Sequence, residues 1–581
     1  MWDNIREQIE NGDYVSARML LEEEKCLQRD CIDDTFAILD ASVYEAEADR
    51  VGMFDAIAAG LGVNPFNYEL YYMLGCYYLD VNPQQAFLCF ENAEYYCNQE
   101  EDRDIISKEK QRLEDSGVFV PQLSIIILSY NAKKEMGICL DSIRKYGGAP
   151  NSYEVIVIDN ASTDGIAEYL KEQEDILLFC NTENVGFPAG CNQGIKMAQP
   201  YNDIFLLNND TIVTPNSIFW LRMGLYENAS VGGSGSVTNY ASNGQSIVEI
   251  FDTTEEYFKY AVSHNIPMEN PYEKKYCLTG FAFMIKRTAL DAVGLLDERF
   301  SPGNYEDNDL SLRLIGAGYQ LLLCRNSFIY HFGSRGFAKD RVKYENLMWV
   351  NNRKFKEKWG IDYDYYREER REITAYIEDD QTSPLHILEV GCGLGATLGY
   401  LQNKYPNAKV YGIELNEQVV SVAQKYIPTI RQGNIETISL EYPEGFFDYI
   451  IFGDVLEHLH DPQKVLVRMH KYLKSSGAVI ASIPNVLHYT VVLDLLKGNF
   501  RYEDSGILDR THLRFFTYNE IVRMFQESGY VVESVLQKQL VGEVTKEQKE
   551  MYDALLKVPN IVPEDELKTF QYLVKARENG A

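Results

Sequence analysis

The chain has 581 residues, too many for one hydrophobic core, and ordinary domain sizes predict roughly three or four folded units. Hydrophobic residues make up 45% of it and aromatic residues 12%, which argues against an intrinsically disordered chain. With 87 acidic against 55 basic residues, the formal charge is −32, so nonspecific nucleic-acid binding is not expected.

Cysteine usage and the N-terminal sequence predict a reducing compartment. The eleven cysteines are an odd count without a CxxC pair, which predicts free thiols, not a disulfide framework or a zinc site. The first residues are charged throughout, unlike a signal peptide, and no apolar run approaches the ~20 residues that span a bilayer. We therefore expect a cytoplasmic protein, or one at the inner face of a membrane that it does not cross.

The first part of the chain, from Met1 to about Gly117, is acidic and predicts helices, since it shows no strand-like alternation. In "YYMLGCYYLDVNPQQAFLCFENAEYY" small residues recur among aromatic ones, as where two antiparallel helices approach closely. The stretch resembles a tetratricopeptide repeat at Tyr71, Leu74, Gly75, Tyr78, Ala86, Phe90 and Ala93. This resemblance leaves two functions open, which are docking of a protein partner and support of the next domain.

Strands alternate with helices from Val120 onward. The stretches "LSIIILSYN", "YEVIVIDNASTDG" and "DIFLLNND" are apolar runs that end in polar residues. The alternation predicts crossover helices over a mostly parallel sheet, whose strands end at the ligand crevice. For any one of these ends a simple polar turn is the alternative, because Asn and Asp favour turns.

Four polar clusters follow one another in the order seen in the family 2 glycosyltransferases. They begin at Tyr130, at Asp159, at Asn208 and in "NYEDNDLSLRLIGAGY", and "NVGFPAGCNQGI" and "CLTGFAFMIKRTALDAVGLLDERF" match as well. The resemblance runs from Leu123 to about Phe337. It implies the GT-A fold and inverting sugar transfer from a nucleotide-diphosphate sugar to a glycan or lipid-linked glycan.

The same resemblance implies roles for individual residues. Tyr130 and Asp159 would hold the nucleotide base, and Gly280 would line the acceptor side. Inverting transfer also needs a base that takes the proton of the acceptor hydroxyl. Asp307 in "EDND" is the expected base and Asp309 the second choice, although these acids also suit a helix N-terminus and Asp309 would serve as an N-cap.

The metal motif of the family, usually Asp-x-Asp, departs from the pattern here. Its first position is Asn208, a neutral carbonyl ligand, and only Asp210 supplies a carboxylate. A divalent cation, Mg²⁺ or Mn²⁺, would neutralise the leaving diphosphate, and oxygen ligands suit both. His331 in "IYHFGSRG" matches the place of a metal-binding histidine in the family, so we expect it to complete the site.

A second series of strand, glycine turn and helix begins at "HILEVGCGLGA". Gly391, Gly393 and Ala396 satisfy the pattern G-x-G-x-x-A, so NAD is a competing cofactor. Glu389 and Gly395 instead make the stretch resemble motif I of the class I S-adenosylmethionine methyltransferases. The resemblance implies a Rossmann-like fold with S-adenosylmethionine as cofactor.

Three further residues are expected around that cofactor. Glu414 ends the next strand, about 20 residues on, where a carboxylate accepts the ribose hydroxyls of either cofactor. Asn434 in "RQGNIE" is expected near the adenine, and Asp454 in "FDYIIFGDVLEHLHDP" matches the fourth-strand motif of the methyltransferases.

The acceptor side of this unit is suggested by "SIPNVLHY" and "GILDRTHLRFFT", which resemble a methyltransferase group common in bacterial polysaccharide clusters. Methyl transfer to a hydroxyl requires loss of its proton. The candidate bases are His488, Asp509 and His512, with structural histidines as the alternative.

We therefore predict a multidomain chain. A helical module at 1–118 precedes a GT-A α/β glycosyltransferase at 119–338, a helical linker at 339–380 and a Rossmann-like α/β methyltransferase with a helical tail at 381–581. The predicted function is a bifunctional enzyme of bacterial surface-polysaccharide synthesis. A scaffold protein with only one active catalytic domain is the alternative, favoured by Asn208.

Overall fold

The computed structural model describes residues 2–27, 33–333, 341–540, 545–558, 560 and 562–579. The predicted boundary between residues 338 and 339 lies outside these residues, as does Cys31. The chain divides into two compact units, Met1–Lys358 and Trp359–Ala581. No helix among the described residues is both long and apolar enough to span a membrane. All ten cysteines that the structure describes are free thiols.

The N-terminal part of the first unit is helical, as predicted. Within its described residues the helices are α1 Trp2–Glu10, α2 Tyr14–Leu27, α3 Asp34–Ala46, α4 Arg50–Val63, α5 Tyr68–Tyr78, α6 Pro83–Tyr96 and α7 Glu100–Asp115. Side chains cap several of them; Asn67 accepts a hydrogen bond from the Leu70 backbone N–H at the start of α5. A Cβ on Gly75 would lie 2.5 Å from the Phe90 ring, so α5 and α6 approach as the sequence suggests. The helices are consistent with a tetratricopeptide-like module, and membership of that family stays a prediction.

An α/β fold follows in the same unit. Its strands are β1 Leu123–Ser129, β2 Tyr153–Asp159, β3 Leu177–Cys180, β4 Asp203–Leu207, β5 Thr211–Ile212, β6 Val231–Val237, β7 Tyr272–Lys275, β8 Ala282–Ile285, β9 Gln320–Phe328 and β10 Tyr330–His331. Its helices are α8 Lys133–Tyr146, α9 Ile166–Lys171, α10 Phe187–Met197, α11 Ser217–Leu225, α12 Thr254–His264, α13 Arg287–Val293, α14 Glu306–Gly316 and α15 Arg341–Trp359, with a 3-10 turn at Glu298–Phe300.

The large sheet of this fold has the strand order β3-β2-β1-β4-β8-β6-β9-β7, and β5 pairs separately with β10. β1 runs parallel to both β2 and β4, whereas β8 runs antiparallel to β4. The polar residues that follow β1, β2 and β4 therefore share one edge of the sheet, as the sequence predicts.

The N-terminal helices pack directly on this fold through α11, every residue of which is buried. The Gln85 side chain donates to the Met223 carbonyl oxygen at 2.9 Å, and the buried rings of Tyr71 and Phe219 meet edge to face at 5.2 Å. One hydrophobic core runs from these helices into the sheet. The contacts fit the supporting role better than a free docking module.

The second unit is a Rossmann-like fold. Its strands are β11 His386–Val390, β12 Lys409–Glu414, β13 Ile430–Gln432, β14 Phe447–Gly453, β15 Leu473–Pro484, β16 Tyr530–Gln539 and β17 Thr569–Glu578. Its helices are α16 Tyr363–Tyr366, α17 Arg371–Thr374, α18 Ala396–Lys404, α19 Glu417–Tyr426, α20 Pro462–Met469, α21 Tyr489–Leu496, α22 Tyr518–Glu527, α23 Lys546–Leu555 and α24 Glu564–Lys568, with a 3-10 turn at Leu456–His458.

The sheet of the second unit has the order β13-β12-β11-β14-β15-β17-β16. β11 to β15 pair in parallel, while β17 runs antiparallel between β15 and β16. This corrects the prediction of a helical tail, because Thr569–Glu578 within that tail form an inner strand. The run "YLVKA" within it is apolar at most positions, as suits a strand covered on both faces.

The predicted helical linker, 339–380, also needs correction, because its two halves belong to different units. In the first half, the Asn351 side chain donates to the Phe300 carbonyl oxygen at 2.8 Å, which fixes α15 on the first α/β fold. In the second half, the Leu394 N–H donates to the Tyr366 carbonyl oxygen at 3.0 Å, so this segment lies on the glycine loop of the second.

Candidate active sites

At the nucleotide end of the first site, β1 and β2 finish side by side, with Ser129 in register with Asp159. Tyr130 follows β1 and is 49% exposed, whereas Asp159 is only 2% exposed. Asp159 Oδ2 accepts from the Ser162 N–H at 3.3 Å, and Oδ1 has no hydrogen-bond partner among the described residues. A buried carboxylate oxygen without a donor is costly, and the N–H groups of a nucleotide base would satisfy it.

At the metal end, the short pairing of β5 with β10 sets His331 opposite Thr211. This register brings His331 Nε2 to 3.2 Å from Asp210 Oδ1. The Asn208 backbone is fixed by its N–H, which donates to the Phe281 carbonyl oxygen at 2.8 Å. Its side-chain amide makes no hydrogen bond with a described residue, so its carbonyl oxygen is available as a ligand.

The tautomer of His331 decides whether its Nε2 can bind a cation together with Asp210. Its Nδ1 lies 2.8 Å from the Tyr240 carbonyl oxygen, which only accepts, so Nδ1 carries the hydrogen. When this ring is neutral, its Nε2 directs a lone pair at the Asp210 carboxylate. Both groups are then available as ligands for a divalent cation between them, so these residues fit the expected metal.

The candidate base Asp307 lies in the first turn of α14 and is half-buried. The Gly280 N–H donates to its Oδ2 at 2.9 Å, and the Asn308 N–H donates to its Oδ1 at 2.8 Å. These bonds orient the carboxylate. In the neighbouring Glu306, burial and then the charge of Asp307 raise the side-chain pKa well above its usual value, which favours the protonated form.

Asp309, the second choice, is fully buried and bound by two cations. Arg313 Nε lies 2.8 Å from its Oδ2 and Lys358 Nζ lies 2.5 Å from its Oδ1. It is also not the N-cap, which is Tyr305. These ion pairs link α14 to α15 and occupy both oxygens of Asp309. We therefore retain Asp307 as the candidate base.

Two consecutive residues join Asp307 to the pair Asp210 and His331. Gly280 binds Asp307 through its backbone, and the Phe281 ring stacks on the His331 ring at 5.1 Å with an interplanar angle of 17°. Sequence reasoning passed over Phe281 and Tyr240, which hold His331 in place. Aromatic and backbone supports of this kind leave no recognisable spacing in a sequence.

The glycine loop of the second site follows β11, and Gly391, Gly393 and Gly395 all have positive φ. A Cβ on Gly393 would lie 2.6 Å from the Tyr366 carbonyl oxygen, so no larger residue fits there. The Gly393 N–H donates to Glu414 Oε2 at 3.1 Å, which ties the loop to the end of β12. The predicted cofactor residues therefore meet at the edge of the sheet.

Glu389 is buried beside this loop, at 4% exposure, and its Oε2 has no partner among the described residues. Burial raises the pKa of this carboxyl to about 8, and a hydrogen bond from Thr397 opposes the shift. A cationic ligand would satisfy the orphaned oxygen, and S-adenosylmethionine carries both a sulfonium and an ammonium group. The residues thus fit that cofactor.

Asp454 follows β14 in a left-handed conformation, with φ at 54°. Arg370 Nη1 forms an ion pair with its Oδ2, and Ser482 Oγ donates to its Oδ1 at 2.8 Å. Sequence reasoning missed Arg370, because it lies 84 residues upstream in the presumed linker. Asn434, by contrast, is exposed and its Oδ1 accepts from the Glu436 N–H at 2.8 Å, which closes a turn.

The three candidate bases of the second site do not form one group. His488 is buried at the start of α21, Thr490 Oγ1 is 2.8 Å from its Nδ1, and burial alone lowers its pKa to about 4. Asp509 and His512 lie close together, since the His512 N–H donates to the Asp509 carbonyl oxygen at 3.0 Å. The His512 ring lies 4.7 Å from the His458 ring. Sequence reasoning did not single out His458.

Comparison with known proteins locates two domain families in the chain. Residues 124–294 match the family model described as glycosyl transferase family 2, and residues 363–535 match the model described as methyltransferase domain. The second match begins before the predicted start at residue 381, in agreement with the position of Tyr366 on the glycine loop.

Curated relatives match the methyltransferase part. A malonyl-[acyl-carrier protein] O-methyltransferase of Bacillus cytotoxicus is 27% identical over 133 residues, which are 21% of this chain and 46% of that protein. A demethylmenaquinone methyltransferase of a Geobacillus species is 23% identical over 163 residues, 25% of this chain and 70% of that protein. An ajmaline N-methyltransferase of Rauvolfia serpentina is 30% identical over 122 residues, 20% of this chain and 40% of that protein. The chain thus spans less than half the length of the first and third relatives.

Solved structures show weaker likenesses to each part. A mannosyltransferase of Pyrobaculum calidifontis, in complex with GDP-Man and Mn²⁺, has a TM-score of 0.31 at 17% identity and covers 41% of this chain and 65% of its own. A methyltransferase of Bacillus halodurans has a TM-score of 0.25 at 18% identity and covers 36% of this chain and 97% of its own. The assignment depends on the two family models: the chain carries a family 2 glycosyltransferase domain and a methyltransferase domain.

Proposed function

We propose that the chain is a bifunctional enzyme that builds and methylates one glycan. Its first domain transfers a sugar, with inversion, from a nucleotide-diphosphate sugar to a glycan or lipid-linked glycan. Its second domain transfers a methyl group from S-adenosylmethionine to a saccharide. The main support is the arrangement of the first site, where Gly280 and Phe281 join the base Asp307 to the pair Asp210 and His331.

In the first site, each residue has a distinct task. Asp159 and Tyr130 hold the nucleotide base at the ends of β1 and β2, and Asp307 takes the proton of the acceptor hydroxyl as it attacks. Asp210, His331 and the Asn208 carbonyl hold the divalent cation, which supplies positive charge to the leaving diphosphate.

In the second site, Glu414 accepts the ribose hydroxyls and Glu389 lies near the cationic end of the cofactor. S-adenosylmethionine supplies the methyl group when it is bound. Arg370 orients the Asp454 carboxylate through their ion pair. Asp509 and His512 lie on the part that follows β14, where they would receive the acceptor.

The shared chain itself supports a shared substrate. Tethering raises the effective concentration of one site's product at the other site to around millimolar for a short flexible link. The printed substrates of the curated relatives differ widely from one another, so they give little guidance on the acceptor. We propose a cytoplasmic enzyme of bacterial surface-polysaccharide synthesis, acting at or near the inner face of the membrane.

A second candidate function is a scaffold protein in which only the methyltransferase works. The observation that favours it is Asn208, which replaces one acidic metal ligand. Hydrolysis of nucleotide sugars, measured with and without Mn²⁺, separates the two. The bifunctional enzyme is expected to hydrolyse a matching donor slowly only when Mn²⁺ is present.

Ligand-induced stabilisation of the full chain tests the proposed function. A ligand at 100 times its Kd stabilises the folded state by about 2.7 kcal/mol. We expect one nucleotide sugar with Mn²⁺ and S-adenosylmethionine each to raise the melting temperature. Asp159→Ala is expected to lose only the first shift and Glu414→Ala only the second. Absence of both shifts across UDP, GDP and dTDP sugars would contradict the proposal.

A further inference from the structure

Three side chains of the second domain converge beside its cofactor crevice. Glu457, His458 and His512 each place one ligand atom within 4.8 Å of the other two. Two ligand atoms that each bind one ion at ~2.1 Å lie about 3.4 Å apart in a tetrahedral site. Small rotations of these side chains would therefore close the group around an ion.

Glu457 is the least expected member, because it is a fully buried acid with 0% exposure. Neither of its carboxylate oxygens has a hydrogen-bond partner among the described residues. Its main-chain oxygen, in contrast, accepts from the N–H groups of Leu513 and Arg514 at 2.9 and 3.0 Å. The backbone is thus fixed while the carboxylate lacks a donor among the described residues, which is unfavourable unless a ligand compensates it.

The two histidines are oriented in the way that metal ligands are. His512 Nδ1 lies 2.9 Å from the Ile507 carbonyl oxygen. His458 Nδ1 lies 3.2 Å from both the carbonyl oxygen and Oγ1 of Thr511, and that hydroxyl donates its own hydrogen to Asp509 Oδ1 at 2.6 Å. Carbonyl oxygens only accept, so each Nδ1 carries its hydrogen and each Nε2 keeps a lone pair. A backbone carbonyl that fixes the tautomer in this way is the usual support of a metal-binding imidazole.

The position of the group connects it with catalysis. Glu457 and His458 lie just after β14, at the edge of the sheet where Asp454 and Glu414 lie.

We infer that Glu457, His458 and His512 bind a divalent transition metal such as Zn²⁺ or Mn²⁺ at the acceptor side of the methyltransferase domain. Two imidazoles and one carboxylate are a ligand set that leaves coordination positions open for a substrate. This site is separate from the pair Asp210 and His331, which belongs to the other unit.

Its role rests on the proposed methyl transfer. A cation there attracts a hydroxyl oxygen of the acceptor and lowers the pKa of that hydroxyl. The hydroxyl loses its proton to solvent or to the adjacent Asp509, the oxygen forms a bond to the methyl carbon, and the sulfur keeps the electron pair of the broken S–CH₃ bond. Charge and atoms balance without a further reactant, and S-adenosylhomocysteine leaves.

Cobalt binding tests the site directly, because Co²⁺ replaces Zn²⁺ and gives visible absorption bands that report its ligands. The parent protein is the full chain with Asp210→Ala and His331→Ala, which removes the other metal pair. Into it we place either His458→Ala or Glu457→Gln. The matched control is His460→Ala, on the same loop, whose side chain is 83% exposed.

We expect the parent and the His460→Ala protein to bind one Co²⁺ with the same spectrum. His458→Ala and Glu457→Gln should each weaken binding at least ten-fold, with circular dichroism unchanged. If Glu457→Gln does not fold, the half-buried His458 still decides the question. A parent that binds no Co²⁺, or variants that bind it like the parent, would overturn the inference. S-adenosylmethionine binding, measured on the same proteins, should persist in all of them, and its absence from the parent would count against the proposed function alone.

Discussion

Substitution of Gly393 by alanine tests how much the glycine loop contributes to S-adenosylmethionine binding. Its φ is 52°, and a Cβ there would lie 2.6 Å from the Tyr366 carbonyl oxygen, well inside the ~3.5 Å of ordinary contact. Gly445 offers a matched control in the same unit. It has a φ of 62°, but the nearest heavy atom to its Cβ would be the Leu473 carbonyl oxygen at 4.0 Å.

Alanine in a left-handed conformation destabilises the folded state by about 1–2 kcal/mol, and this applies at both positions. Only at Gly393 must the Tyr366 segment also move away, which breaks the 3.0 Å hydrogen bond from the Leu394 N–H. The loss of that bond adds about 1–1.5 kcal/mol. Because the cofactor needs the loop in its native position, this extra cost should weaken S-adenosylmethionine binding about ten-fold.

Isothermal titration of the full chain with S-adenosylmethionine measures this difference. Gly393→Ala is expected to raise the Kd about ten-fold, and Gly445→Ala to leave it within two-fold of the wild type, while sugar transfer is unchanged in both. Equal Kd values for the two variants would refute the assignment of the loop as the cofactor cradle.

Three other predictions concern the metal, the buried acid and the N-terminal helices. Asp210→Ala should raise the Mn²⁺ concentration needed for half-maximal sugar transfer or abolish transfer, and undiminished transfer by the wild type in excess chelator would show that no metal is used. Glu389 should hold its proton at pH 7, since its pKa is about 8, and a cationic cofactor should favour the ionised form. Binding of S-adenosylmethionine at pH 7 should then release up to one proton and should strengthen as the pH rises through 8. Calorimetry in buffers of different ionisation enthalpy measures this proton release. Glu389→Gln should abolish the part of the release that belongs to Glu389. Tyr71→Ala empties a buried position against Phe219 and should destabilise the first unit by about 3–5 kcal/mol in denaturant unfolding, whereas the 64%-exposed Val81→Ala on the same hairpin should change it little. A stable Tyr71→Ala protein would mean that these helices do not support the glycosyltransferase fold.

Local sequence was sufficient to predict three strands of the first α/β fold and the polar groups at their ends. Strand periodicity identifies β1, β2 and β4, and parallel pairing then gathers their ends at one edge. Asp210 and His331 lie 121 residues apart, and only the order of the family motifs linked them. The structure places them 3.2 Å apart, and their role in metal binding stays a prediction.

Other features depend on tertiary contacts that leave no mark on local sequence. β17 is inserted between β15 and β16 after two helices, so the tail looked helical although its end completes the sheet. Arg370 pairs with Asp454 across 84 residues of the second unit, from a segment that the sequence assigned to the linker. Glu457 and His458 belong to the quoted stretch that contains Asp454, but nothing in the sequence was a reason to select them, because acids and histidines near a strand end are common. Only the missing hydrogen-bond partner of Glu457 marks it as unusual.

Measurement of both transfer activities in two single variants tests most directly whether the chain carries two independent active sites. Asp307→Asn should reduce sugar transfer about 10²- to 10⁴-fold, because a positioned base is lost, and leave methyl transfer to a saccharide intact. Gly393→Arg should stop methyl transfer, because its side chain has no room beside Tyr366, and leave sugar transfer intact. With radiolabelled donors and one glycan acceptor, we predict this reciprocal pattern. Loss of both activities in either variant, or methyl label that appears only on protein or nucleic acid, would contradict two independent sites acting on one glycan.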